Sequence, residues 1–207
     1  MTAPTERVSP LQVWSARFVA ASAPGHFSIR EVPFASQINL RGNRADTAFV
    51  AGVRSAIGCD LPTLSNAWSG DSQCAALWLG PDEWLILAPQ GNNDKLCSGL
   101  RAKLAGIHHS VVDLSANRAI IEISGSDART VLAKGCPLDL HAAAFGPGQC
   151  AQSLLAKSQV ILQCVDAGAT LRLFVRISFA PYVAEWLLDA AAELSASRAA
   201  GMLGLRL

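Results

Sequence analysis

The chain has 207 residues and a formal net charge of +1, so no excess of either sign draws it toward nucleic acid or an anionic membrane. Apolar residues make up 51% and charged residues 16%, against roughly 25% charged in an average soluble protein. Two explanations stand side by side: an alanine-rich composition that inflates the apolar count, or a surface partly covered by partner chains.

Every strongly apolar stretch meets a charge, Gly or Pro within about 18 residues, the length a spanning helix needs. The start of the chain, with Glu6 and Arg7 followed by Pro10, lacks the basic region and apolar run of a signal peptide. A cytoplasmic protein is expected. The six cysteines are dispersed and form no CxxC pair, which argues against a zinc cluster and a dithiol redox site and for reduced, scattered thiols.

Residues 1–25 carry three prolines and no steady period, and read as an N-terminal arm, free to lie along a neighbour. Phe27, Ile29 and Val32 predict a first strand, and Ile38 and Leu40, alternating with Asn39 and Arg41, a second that Gly42 ends. A helix is expected from Arg44 to Ile57, with Phe49, Val50, Val53 and Ile57 on one face and Gly58 closing it. Apolar runs on either side of Gly80-Pro-Asp-Glu83 signal a hairpin. A helix over about Asn93–Leu104 and a strand at Val111–Leu114 complete a β-α-β-β-α-β order, the split arrangement of a ferredoxin-like module.

The second half repeats that order. Ala119–Ile123 reads as a strand ended by Gly125, and Ser126 is placed to cap a helix running to about Lys134. Strands are expected at Ser153–Ala156 and Val160–Val165, then a turn at Asp166-Ala-Gly-Ala169. In the strand Leu171–Ile177, Arg172 and Arg176 face away from Leu171, Leu173 and Val175. The last helix is expected over about Ala180–Leu194. Ile38-x-Leu-x-Gly42 aligns with Ile121-x-Ile-x-Gly125 at an offset of about 83 residues, an internal duplication rather than a solenoid. The expected fold is α+β: an arm over 1–25, one module over 26–115, a second over 116–195 and a tail over 196–207.

Few groups are placed to converge on a reaction. His108 and His109 precede a strand and point to opposite sides, while His26 and His141 have no ligand partner at helical spacing. Neither nucleotide-binding loop nor a Gly-x-Ser-x-Gly elbow occurs. Asp113 is positioned to bond a turn through Ser115, Asp82 and Glu83 belong to a solvated hairpin turn, and Asp139 stands at a helix start. Trp14, Trp68, Trp78, Trp84 and Trp186 read as core or interface anchors. No catalytic, cofactor-binding or metal-binding residue is therefore assigned.

The segment Leu77-Trp-Leu-Gly-Pro-Asp-Glu-Trp-Leu-Ile-Leu87 resembles the hairpin of gamma subunits of heterotetrameric sarcosine oxidase. Val112–Arg118, Ile121–Arg129, Lys134–Leu140, Phe145–Gln152 and Arg176–Trp186 resemble, in order, the later segments of that family, over about residues 26–195. The resemblance implies a fold similar to the folate-binding domain of glycine-cleavage T-proteins. It implies a non-catalytic subunit beside alpha, beta and delta chains, in contact chiefly with alpha. That complex converts sarcosine to glycine and peroxide, with tetrahydrofolate leaving as 5,10-methylenetetrahydrofolate. FAD, FMN, NAD and zinc would belong to the other chains. Lys134-Gly-Cys136 matches the opening of a signature found in a folate-dependent iron–sulfur repair protein, but Pro137-Leu-Asp-Leu140 departs from its continuation, leaving Cys136 a buried small residue after a helix. The alternative is a stand-alone folate-binding one-carbon-transfer protein.

Overall fold

A computed structural model describes residues 8–167 and 170–202, with side chains as far as Leu194. Expectations for Glu6 and Arg7, for the end of the turn at Gly168-Ala169 and for the tail beyond Met202 fall outside the described residues. The arm expected over 1–25 is, from Leu11 onward, a packed element. A 3-10 turn at Gln12–Trp14 runs into helix α1, Ser15–Ala21, and Leu11 and Phe18 are buried. The reason is a helical stripe that the prolines obscured: Leu11, Trp14, Phe18 and Ala21 recur at steps of three and four.

Among the described residues, ten strands, four further α-helices and a 3-10 turn at Ile177–Phe179 follow. They are β1 (Ser28–Glu31), β2 (Ser36–Gly42), α2 (Thr47–Ile57), β3 (Trp68–Gly70), β4 (Ala75–Gly80), β5 (Glu83–Ala88), α3 (Asn93–Lys103) and β6 (His109–Asp113). After these come β7 (Arg118–Ser124), α4 (Ala128–Ala133), β8 (Cys150–Leu155), β9 (Ser158–Cys164), β10 (Leu171–Arg176) and α5 (Ala180–Met202). All strand pairs are antiparallel and form two five-stranded sheets, β3-β4-β5-β2-β6 and β8-β9-β10-β7-β1. Written in this direction they are one topology used twice. A β-α-β-β-β-α run lays down four strands, and a fifth closes the sheet beside the first.

The short β3, read as loop in the sequence, makes the first module one strand richer than the ferredoxin-like order. A larger correction concerns β1. Its sequence position suggests the first module, yet it pairs with β7 in the second sheet, Ile29 opposite Ile123 and Arg30 opposite Glu122. Alternation of apolar residues announces a strand but says nothing about which sheet it joins. In the first sheet the closing strand, β6, follows α3; in the second it comes from the N-terminal side of the whole repeat.

Three apolar clusters define four layers. Ile38, Leu40, Trp84 and Ile86 pack under α2 and α3 with Phe49, Val53 and Leu100. Ile121, Leu162, Leu173 and Val175 pack under α1, α4 and α5 with Phe18, Val131, Val183 and Leu187. Between the sheets, Leu77, Leu85 and Leu87 meet Ile120, Ile161 and Phe174. Helix ends follow local chemistry. Asp46 accepts from the Ala48 and Phe49 N–H groups at 2.8 and 3.3 Å, and Gly58 takes φ +79° to terminate α2. Ser126 does not cap α4: the helix starts at Ala128 with Asp127 at the N-cap position. Gly125, at φ +105°, is pressed against the His26 backbone, where a Cβ would sit 2.4 Å from the carbonyl oxygen.

Candidate functional site

The inner faces of the sheets carry the unusual polar chemistry. On β7, Arg118, Ile120 and Glu122 face inward; on β10, Arg172, Phe174 and Arg176 do, and the two rows pair Arg118 with Arg176 and Glu122 with Arg172. The apolar row between them belongs to the inter-sheet core. At one end, Glu122 is buried and accepts from Arg172 Nε at 2.8 Å and Arg30 Nη2 at 2.6 Å. A cavity of about 340 Å³ lies there, lined by Trp68, Gln163, Arg172 and Phe174.

The other end is less balanced. A cleft of about 540 Å³ opens over Arg118, Gln152, Leu154, Gln159, Phe174 and Arg176, within the size range of ligand and docking pockets. Arg118 Nη1 is buried without a hydrogen-bond partner. Burial first, and the like charge of Arg176 second, hold the Arg118 guanidinium below its usual pKa; Glu83 opposes them. Glu83 itself accepts from Asn39 Nδ2 at 2.7 Å. Among the described residues neither Arg118 nor Arg176 makes an ion pair.

The residues weighed in the sequence disperse. Asp113 accepts from the Ser115 N–H at 2.8 Å and from Asn93 at 2.9 Å, the turn role expected of it. Asp82 pairs with Arg41 at 2.9 Å in the hairpin, but Glu83 is the first residue of β5 and faces the sheet interior rather than the turn. Asp139 accepts from the His141 N–H at 2.9 Å, and the segment after His141 is a turn rather than a helix. His26, His108 and His141 are exposed and separate, and His109 Nδ1 lies 2.7 Å from the Ile107 carbonyl. Among the described residues no three His, Cys, Asp or Glu gather as metal ligands.

Cys136 is buried beside Ser153, Sγ to Oγ 3.7 Å, as a small residue after α4. Lys134 ties that helix end to α5 through the Ala190 carbonyl at 2.6 Å and Glu193 at 2.7 Å. Trp84 is fully buried, Trp68 reaches the Cys164 carbonyl across the sheets at 2.8 Å, and Arg17 stacks on Trp14 at 4.4 Å. Sequence reasoning placed Arg172 and Arg176 on one face but missed Arg118. The signal was present as Arg118-x-x-x-Glu122 set against Arg172-x-x-x-Arg176.

With this geometry in place, comparison with known proteins is informative. The profile of the family described as "Sarcosine oxidase, gamma subunit family" matches residues 41–193. The chain is similar to the "Sarcosine oxidase subunit gamma" of an Arthrobacter species, 36% identical over 91% of this chain and 92% of the other. It is also 36% identical to that of Corynebacterium sp. strain U-96, over 94% of each. A chain in the solved structure of heterotetrameric sarcosine oxidase from Corynebacterium sp. U-96 superimposes with TM-score 0.85 at 35% identity, covering 91% of this chain and 96% of that one. The glycine-cleavage aminomethyltransferase T of Bartonella henselae shares the fold at TM-score 0.59 and 18% identity, over 86% of this chain and 49% of its own.

Proposed function

We propose, for a chain that belongs to the sarcosine oxidase gamma-subunit family, that it is a structural, non-catalytic subunit of a heterotetrameric sarcosine oxidase. The observation that carries this is the near end-to-end likeness to a chain of such a heterotetramer, supported by relatives of similar length bearing the gamma-subunit name. The complex would convert sarcosine to glycine and peroxide and deliver the methyl carbon to tetrahydrofolate as 5,10-methylenetetrahydrofolate. FAD, FMN, NAD and zinc would be held by the other subunits, alpha being the main neighbour of this chain. The dispersal of its histidines and of the acids weighed as candidates supports a role without an active site of its own. Among the described residues no helix is long and apolar enough to cross a membrane, which is compatible with the cytoplasmic location proposed.

The test is a tagged pull-down from the native host at endogenous level, with mass spectrometry and a flavin spectrum. A stoichiometric yellow complex that turns over sarcosine is expected. A colourless homo-oligomer would overturn the reading and turn attention to direct folate binding by the isolated chain.

A further inference from the structure

The two sheet ends differ in one respect that matters for assembly. On β7 and β10 the cross-strand pair Glu122–Arg172 is complementary and ion-paired, whereas Arg118–Arg176, on the same face, sets two cations directly opposite each other. Like charges in that relation destabilise a sheet. A buried guanidinium nitrogen without an acceptor adds a further cost, and Arg118 Nη1 is one. The repulsion between the two cations is relieved if a carboxylate enters the cleft and accepts from the accessible edges of the two forks, the pairing for which arginine geometry is suited.

We propose that Arg118 and Arg176 form the docking site for an aspartate or glutamate side chain of a partner subunit, an inference that rests on reading this chain as a subunit. The surroundings suit a protein contact. Gln159 offers an amide at the wall, beside Gln152, which donates to the Leu79 carbonyl, and Leu154, in the same cleft, is 46% exposed. Just beyond Arg176, Ile177 and Phe179 are each 43% exposed. Arginine beside exposed aromatic and aliphatic side chains is the composition of an interface anchor. A chain with 16% charged residues has few carboxylates of its own to cover the pair, and Glu83, the one whose field reaches Arg118, is engaged by Asn39.

The test is co-expression of the full tagged chain with its partner subunits, wild type beside Arg176→Glu, Arg118→Gln and Arg176→Lys. The wild-type complex should dissociate more readily as salt rises, because the contact is ionic. Arg176→Glu should weaken association at least tenfold, Arg118→Gln less, and Arg176→Lys should recover part of the loss. The melting temperatures of the Arg118→Gln and Arg176→Lys chains should match or exceed wild type, since neither adds a clash and the first removes a repulsion. If wild type recovers no partner, the subunit reading fails and the docking site with it. If wild type assembles and Arg176→Glu assembles equally well with the same salt dependence, the docking site alone is overturned. Saturable binding of glutarate by a wild-type chain whose assembly ignores these substitutions would likewise overturn it, in favour of a small-carboxylate site.

Discussion

Gly42, the last residue of β2, lies against the ring of Phe49 so closely that a Cβ there would sit 2.1 Å from Cε2. Phe49 is fully buried, and its ring centroid is 6.0 Å from that of Trp84. Gly42→Ala is expected to destabilise the chain by about 1–3 kcal/mol, the range for overpacking a filled core. Urea unfolding reads this as a lower midpoint at unchanged slope; an unchanged midpoint would show that the ring can move.

Glu122 is the centre of a three-strand ion network, with its side chain 11% exposed. Glu122→Ala leaves Arg172, itself 29% exposed, without its carboxylate, and should cost about 2 kcal/mol. That is below the roughly 3–5 kcal/mol for a fully buried pair, because Arg30 is 60% exposed and can turn to water. Arg30→Ala should cost about 0–1 kcal/mol. Equal losses in the two variants by chemical unfolding would contradict this ranking.

Burial pushes the Cys150 thiol from about 9 up to about 12. Between those values the unfolded chain releases the thiol proton while the folded chain keeps it. The unfolded state then binds fewer protons, so stability falls as pH rises through this window and is fully present below it. Unfolding free energy measured from about pH 8 to about pH 10.5 should decline, and Cys150→Ala should flatten part of that decline. A Cys150→Ala chain with the wild-type slope would remove Cys150 from the account.

Cys59 and Cys74 are both half-buried, and their thiols shift each other's titration. The neighbouring Cys74 thiol lowers the Cys59 pKa against burial and the fields of Asp71 and Asp60, while the Cys74 thiol is itself raised by Cys59 and by burial. Thiolate fraction governs alkylation. With limiting iodoacetamide near pH 8, Cys59 should be modified ahead of Cys74, Cys97, Cys150 and Cys164, and Cys74→Ala should slow it. Peptide mapping decides the order.

Much of the fold was legible because it rests on local chemistry. The hairpin around Pro81-Asp82 forms where the turn residues put it, and Phe49 and Gly58 each declare a part of α2, although the helix expected from Arg44 begins only at Thr47, behind the Asp46 cap. The offset from Gly42 to Gly125 reports a real duplication. The features that could not be read depend on partners far along the chain. Ile29 marks β1 as a strand in either sheet, and only its contact with Ile123 decides between them. The strand expected to reach Ala156 stops at Leu155, because Ala156 takes a left-handed φ of +50°, which an alanine does not advertise. The cleft was hidden for a related reason. Arg118 and Arg176 are each unremarkable strand-end arginines until pairing of β7 with β10 sets them face to face.

The crossed position of β1 ties the two halves into one knot-free clasp. A break after residue 115 would leave Ser28–Glu31 on a fragment without its partner β7 and leave β7 on the other fragment with a bare hydrogen-bonding edge, the kind of edge that recruits foreign strands. On the ribosome the same strand emerges early yet waits for residues 118–124 before it can pair, so the first module is complete while the segment ahead of it is still unclaimed. The repeat is visible in the shape of the sheets, but it does not divide between residues 115 and 116.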